Sequence, residues 1–277
     1  MNYVPSLDTI LGSVQKVKIY KKEYITNFFL DIPRMELWIA LKLIKYEEIG
    51  ETVFFQRENN GFNNIFFITT GIASFSRDLD TFLMKYRAGL FVTDIVGKQE
   101  TISVLTDLLK DKGFYQYTSL VRMSKVAENP SATVPDADSL SYADRQSADE
   151  VFLMLNRYFD PIAEQIPLKD EIYKLADDRQ VVVYFDELQT IQGFMIFELT
   201  GMTSYLRYWF VHPEHREKRI GSALLRKYFY ESRYTKRQLF WVIRSNENAI
   251  KRYEHFGFKK EELFDYVMIN KNASYEG

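Results

Sequence analysis

VHPEHREKRIGSALL, residues 211–225, decides how this chain is read. It runs from an expected strand end through Pro213, Arg216, Lys218 and Arg219 into an apolar helix start, with Gly221 where the backbone turns into that helix. A helix N-terminus exposes unpaired backbone N–H groups and the positive end of the helix dipole. An anion placed there accepts those hydrogen bonds, and a glycine lets a phosphate approach the backbone closely. The three basic side chains add positive charge at the rim. The alternative is a solvated basic turn in front of an amphipathic helix.

The stretch SNENAIKRYEHFGF, residues 245–258, bears on that choice. Asn246 is a suitable helix N-cap and Gly257 suits a left-handed C-terminal position. Ala249, Ile250, Tyr253 and Phe256 then share one helix face, so Tyr253 is expected to point inward. Its phenol would need a hydrogen-bond partner as a core group, or could donate a proton to a leaving thiolate as a catalytic one.

Composition limits the remaining possibilities. The chain has 277 residues, enough for one large or two ordinary domains, and 46% of them are hydrophobic, which supports a real core. A net charge near −2 argues against a dedicated nucleic-acid binder. With no cysteine and only three histidines (His212, His215 and His255), disulfides and thiolate chemistry are excluded and no metal centre is expected. The richest apolar run, MELWIALKLI, is interrupted by Glu36 and Lys42, so no membrane span is expected. The N-terminus lacks a signal-peptide pattern, and a cytoplasmic location is the expectation.

Two halves are legible. SKVAENPSATVPDADS, residues 124–139, reads as a linker, placing domains at 1–130 and 131–277. Downstream, a capping box from Ser147 to Glu150 opens a helix, and PLKDEIYKLADD forms a second. The segments QVVVYFD, QTIQGFMIFEL and TSYLRYWFV follow as strands. A helix near 219–232, the strand RQLFWVI, a helix near 247–256 and the strand LFDYVMIN complete a mixed α/β order. Upstream, the strand NNIFFITT, a helix through SRDLDTFLMKY, the strand GLFVTDIV, a helix through QETISVLTDLLKD and the strand YTSLVRM repeat part of it. An offset of 144 residues relates Gly113-Phe114 to Gly257-Phe258 and Phe66 to Phe210, which suggests a diverged duplication.

Together these motifs resemble the GNAT superfamily of acyl-CoA-dependent N-acetyltransferases. The family loop Arg/Gln-x-x-Gly-x-Gly/Ala is met by Arg216-Glu217-Lys218-Arg219-Ile220-Gly221, with Arg219 in place of the first glycine. The family pattern Asn-x-x-Ala-Ile-x-x-Tyr-x-x-x-Gly-Phe is met by Asn246, Ala249, Ile250, Tyr253, Gly257 and Phe258. The resemblance covers roughly residues 138–270. It implies a three-layer α/β fold whose central sheet splays between YLRYWFV and RQLFWVI, with acetyl-CoA or another short acyl-CoA in the gap. Backbone groups near Phe210 and Val211 would meet the pantetheine arm and polarise the thioester. Amides from Arg216, Glu217, Lys218, Arg219, Ile220, Gly221 and Ser222 would hold the pyrophosphate. Tyr253 would be the general acid, with Asn246 and Ala249 touching the cofactor. If position 219 is helical, no glycine is required there. Its arginine then either swings outward to a phosphate or folds inward and blocks the groove. The first half has Leu109 opposite Tyr253 and the acidic pair Asp78 and Asp80 where the loop should be. That half reads as a degenerate, non-catalytic repeat.

Direct transfer needs a proton acceptor, for which Glu198 at a strand end is the candidate; a surface glutamate is the alternative. Tyr158, Phe159, Asp160, Tyr205 and Tyr208 are candidates for the acceptor pocket, or for ordinary sheet packing. The leading expectation is an enzyme acetylating a primary amine of a small metabolite. The alternatives are a peptide or protein N-acyltransferase, an aminoacyl transferase, or a non-catalytic acyl-CoA-binding interaction module. No nucleic-acid or membrane partner is expected, and oligomeric state is not readable.

Overall fold

The computed structural model describes residues 1–20, 24–87, 89–127 and 139–271. It contains two compact units, Met1–Leu120 together with the chain from Leu263 onward, and Val121–Glu262. The expected linker falls largely on residues 128–138, outside the described residues. The units therefore part at Leu120 and again at Glu262, because the C-terminal strand returns to the first unit.

In chain order the first half runs β1 (Asn2–Tyr3), α1 (Leu7–Tyr20), β2 (Ile25–Thr26), α2 (Ile32–Ala40), β3 (Ile44–Ile49), β4 (Thr52–Glu58) and β5 (Asn63–Thr69). It continues with α3 (Ile72–Lys85), β6 (Leu90–Gly97), α4 (Gln99–Asp111) and β7 (Tyr115–Val126). The second half runs β8 (Leu140–Tyr142), α5 (Arg145–Tyr158), α6 (Pro161–Glu164), α7 (Lys169–Asp177), β9 (Val181–Phe185), β10 (Ile191–Thr200) and β11 (Thr203–Val211). A 3-10 turn (Pro213–Lys218), α8 (Ile220–Glu231), β12 (Arg237–Ile243), α9 (Glu247–His255) and β13 (Lys259–Lys271) follow. The order is the same in both halves, apart from β2 standing where α6 stands and the turn found only in the second. That turn upsets a uniform offset. β7 and β13 start 144 residues apart, but β5 and β11 start at Asn63 and Thr203, so Phe66 and Phe210 do not occupy matching strand positions.

In the first unit the strand order is β1-β3-β4-β5-β6-β13. Phe264–Lys271 of β13 pair antiparallel with Gly97–Leu90 of β6. One sheet face packs on α1 and α2 through Ile10, Val14, Met35 and Trp38. The other packs on α3 and α4, where Phe75, Leu79 and Phe82 recur at helical spacing and all are buried. Leu109 is part of that core. The acidic pair serves the fold: buried Asp78 accepts from the Glu51 amide and the Thr52 hydroxyl, both at 2.9 Å, and Asp80 pairs with Lys112.

In the second unit the order is β7-β12-β11-β10-β9-β8, with Val121–Val126 supplying its part of β7. Helix α5 begins two residues before the expected capping box, because Asp144 is the N-cap and its carboxylate accepts from the Ser147 amide at 2.8 Å. Helices α5 and α7 cover one face through Val151, Leu155 and Ile172. Helix α8 covers the other, close enough at Gly193 that an added Cβ would stand 3.1 Å from Ile220 and 2.8 Å from the Phe210 carbonyl.

Strand β11 carries a one-residue bulge. Ile196 of β10 faces Tyr208 whereas Phe197 faces Leu206, so Arg207 is the extra residue. The bulge exchanges faces along the strand. After it, Tyr208 and Phe210 join the α5–α7 core, and Trp209 turns to meet Tyr253 and Phe256 of the opposite layer. Strand β11 is parallel to β12 only at Thr203, Ser204 and Tyr205, opposite Arg237, Gln238 and Leu239. From Leu206 to Val211 the two strands part, which is the splay expected from the sequence.

The first unit splays at the same place and fills the gap itself. β5 and β6 are parallel only at Asn63 and Asn64. Beyond them β2 pairs with β5 at Ile68 and Thr69. Asn27 then bridges the opening. Its amide donates to the Ile65 carbonyl, the Thr93 hydroxyl and the Asp94 carbonyl, and its oxygen accepts from the Phe67 amide at 2.7 Å. Removing this buried side chain strands backbone groups on two strands. Asn27→Ala is expected to destabilise the protein by about 2–4 kcal/mol in urea unfolding; a change below about 0.5 kcal/mol would contradict the bridging role.

Candidate functional site

In the second unit, among the described residues, no β12 residue pairs with Leu206–Val211, and the residues singled out in the sequence lie on the elements of this unit. At the loop, Pro213 starts the 3-10 turn and Arg219 ends it at φ 58°, ψ 14°. This corrects the expectation of a helical position 219: the residue is left-handed, the conformation in which a glycine is free of Cβ strain. Arg219 is also the N-cap of α8 and provides no side-chain cap. The first intrahelical bond runs from the Ala223 amide to the Arg219 carbonyl at 3.1 Å, so the amides of Ile220, Gly221 and Ser222 precede the helical ladder. Arg216, Glu217, Lys218 and Arg219 are exposed, while Ile220 anchors the helix in the core. The Arg219 side chain therefore does not fold into the core beneath the loop.

Gly221 has a role that the loop motif alone does not reveal. An added Cβ would stand 3.2 Å from the Trp209 indole, which lies against the glycine. The indole packs in turn on Tyr253, with ring centroids 5.6 Å apart. Tyr253 is half-buried between Trp209, Phe240 at 4.1 Å and Phe258 at 6.3 Å, facing inward as its helical spacing implied. Among the described residues its hydroxyl makes no hydrogen bond. Burial, reinforced by the negative charge of Glu164, pushes the phenol above its ordinary pKa. It is therefore protonated at neutral pH. Asn246 caps α9, its side-chain oxygen accepting from the Ala249 amide at 3.1 Å. Gly257 takes φ 86° at the helix end, as expected of a left-handed terminator.

On the opposite face, Tyr158 and Phe159 pack on the sheet: Tyr158 lies tilted 4.8 Å from Phe210, and Phe159 meets Tyr208 edge-on at 5.3 Å. Asp160 is spent locally, capping α6 through the amides of Ile162 and Ala163. The Tyr208 hydroxyl donates to the Glu164 carbonyl at 2.7 Å and the Gln165 carbonyl at 3.0 Å. Burial raises its pKa, with Arg207 opposing. Glu198 is not a free surface group: its side chain is 19% exposed and pairs with Arg207 at 3.5 Å. Arg207 also lies over the Tyr205 ring. Burial opposes the Arg207 charge, but Glu198 and the two neighbouring tyrosines hold its pKa raised.

Three positions beside these groups escaped the sequence reading. Trp209 and Arg207 change neighbours through the bulge, which no simple alternation predicts. An arginine inside an otherwise aromatic and aliphatic strand was nevertheless a visible signal. Glu164 lies in a four-residue helix too short to show a period. It is half-buried, and burial raises its pKa; its one backbone hydrogen bond, from the Asp160 amide at 3.0 Å, opposes the shift. Its charge is felt by both Tyr208 and Tyr253.

The second unit is thus a mixed sheet between two helical layers whose β11 and β12 part beyond Tyr205, with a helix start that has no side-chain cap beside the parting strands. Residues 177–260 match the family model of the acetyltransferase (GNAT) domain. Solved structures agree in fold. A Drosophila protein aligns with TM-score 0.59 and 14% identity over 80% of this chain and 75% of its own. A GCN5-related N-acetyltransferase from Kribbella flavida aligns at 0.56 and 10%, over 86% and 94%. A tandem GNAT protein from the clavulanic acid biosynthesis pathway aligns at 0.56 and 10%, over 84% and 85%. No curated protein sequence matches the chain. No described helix is long and apolar enough to cross a membrane.

The left-handed Arg219 supplies a test. Arg219→Gly is expected to stabilise the protein by about 1 kcal/mol in urea unfolding, since the strain belongs to the Cβ and not to the loop. A loss of stability would mean that the arginine side chain holds the turn.

Proposed function

We propose that the second unit is an acyl-CoA-dependent N-acyltransferase that moves an acetyl group from acetyl-CoA to a primary amine of a small metabolite, by direct attack in a ternary complex. The observation that carries this reading is the open β11 edge, from Leu206 to Val211, lying between an uncapped helix start and a protonated Tyr253. The first unit, whose corresponding gap is closed by β2 and Asn27, is proposed to be non-catalytic.

These residues fit the cofactor. A pyrophosphate would accept from the amides between Arg216 and Ser222, with Arg216, Lys218 and Arg219 able to neutralise its charge. Backbone groups of Phe210 and Val211 would hydrogen-bond the pantetheine arm and polarise the thioester carbonyl. Asn246 and Ala249 would line the far wall. The cofactor supplies an activated acyl group. Tyr253 would donate its proton to the sulfur as the carbon–sulfur bond breaks, and its raised pKa keeps that proton in place at neutral pH.

The acceptor must be neutral when it attacks. Glu198 was the sequence candidate for its base, but the ion pair with Arg207 commits its carboxylate. Glu164, with its raised pKa and its charge near Tyr253, is the better-supported proton acceptor, and Glu198–Arg207 then shapes the pocket. Two carboxylates among Tyr158, Phe159, Tyr205 and Tyr208 suit an ammonium group on a small molecule, with Asp160 fixing the α6 turn. Electrostatic attraction brings the amine in protonated, and Glu164 takes its proton.

Calorimetric titration with acetyl-CoA should saturate at one molecule per chain. Absence of saturable binding by folded protein would overturn the proposal. Tyr253→Phe is expected to lower turnover roughly 10²-fold with acetyl-CoA affinity largely kept; unchanged turnover across pH would remove the phenol from the mechanism. A base must be deprotonated to act, so the rate should fall on acidification through a pKa above the ordinary carboxylate value, and Glu164→Gln should abolish that limb. A limb that persists in Glu164→Gln and vanishes in Glu198→Gln would return the role to Glu198.

A further inference from the structure

We propose that His212, Glu214 and His215 form a binding site for a divalent transition-metal cation of the zinc class, in the turn between β11 and α8. The site does not depend on the acyl-transfer reading, and it runs against the sequence expectation that three histidines are too few for a metal centre.

The turn geometry brings the three side chains together. Pro213 opens the 3-10 turn, and the His215 amide donates to the His212 carbonyl at 2.9 Å. One turn of 3-10 helix therefore sets the two imidazoles on one side, with ring centroids 5.6 Å apart. A nitrogen from each ring and a Glu214 carboxylate oxygen all lie within 4.8 Å of one another.

The His212 ring is oriented from outside the cluster. Its Nε2 lies 3.0 Å from the Tyr158 hydroxyl, and the ring meets Tyr158 and Phe210 edge-on. In the tautomer where Nε2–H donates to Tyr158, Nδ1 carries a lone pair. Both His212 Nδ1 and His215 Nδ1 are buried and have no hydrogen-bond partner. Buried polar atoms are rarely left unpartnered, because the lost solvation is not recovered. The Glu214 carboxylate stands 3.9 Å from His212 Nδ1, too far for a hydrogen bond but within reach of a shared cation. Asp186 adds negative charge near His215, while its own oxygens are held by Leu188, Thr190 and Gln192.

Two imidazole nitrogens and one carboxylate make a ligand set used by zinc, with a coordination position left for water or an added ligand. The absence of thiolates disfavours softer ions. A metal-bound imidazole normally donates its other N–H to a fixed acceptor, and Tyr158 provides that contact.

The full chain, with any affinity tag removed, would be titrated with zinc chloride by calorimetry and with cobalt(II) by visible absorption. The chain has no cysteine and only one histidine outside the cluster, His255, so background ligation is small. We expect one saturable equivalent and cobalt d–d bands. His215→Ala should abolish both, His255→Ala should leave both intact, and Tyr158→Phe should weaken zinc roughly 10-fold. His215→Ala and Glu214→Gln are checked for folding by circular dichroism. No saturable zinc binding by the folded wild type would overturn the proposal. Equal binding by wild type and His215→Ala would overturn it as well.

Discussion

Three residues of parallel ladder, Thr203–Tyr205 against Arg237–Leu239, join two strands that could have paired along their whole length. The constraint that ends the ladder is local. Arg207 is inserted into β11 opposite a partner strand with no matching residue, and a bulged strand bends and twists more strongly. Past that point the edge of β11 is free on one side and held by β10 on the other. Every candidate group in the second unit is positioned relative to that edge.

The bulge also sorts the side chains. Without it, strict alternation would carry Trp209 to the face that Ser204 and Leu206 do not share. With it, the indole drops onto Gly221 and beneath Tyr253, so the loop, strand and helix α9 are joined by one aromatic stack. The glycine thus answers a packing demand as well as a backbone one. On the other face, Tyr208 turns toward α6 and ties its hydroxyl to that short helix. The position of Glu164 follows from this tie.

The two halves share an order of elements but resolve the same splay differently. In the first, Asn27 supplies the donors and acceptor that the separated strands lack, and β2 occupies the strand edge. A buried strand edge must be satisfied somewhere. An internal side chain does this permanently, whereas an open edge can be satisfied by a ligand. Loss of the basic turn, of the left-handed loop residue and of the tyrosine accompanies closure of the gap: α3 begins three residues after β5, and Leu109 is core.

The sequence by itself determined most secondary elements from residue 63 onward, though not the short β8, α6 and 3-10 turn, together with much of the shared order of the two halves, the 216–221 loop and α9 motifs, and the inward direction of Tyr253. Those features depend on local periodicity, capping and turn chemistry, which act within a dozen residues. It misplaced the α5 cap by a few residues because Asp144 and Ser147 are both good caps, and it left position 219 helical only as a condition, which the left-handed end of the 3-10 turn does not meet. Only the tertiary structure decided the bulge at Arg207, the pairing of Glu198 with it, the charge of Glu164 near Tyr253, the Asn27 bridge and the return of β13 to the first unit. The Glu164, Asn27 and β13 contacts join residues tens or hundreds of positions apart, while the bulge and the Glu198–Arg207 pair lie within one hairpin but depend on the register its strands adopt. Partner choice is set by packing and hydrogen-bond satisfaction across the fold, not by neighbours in sequence.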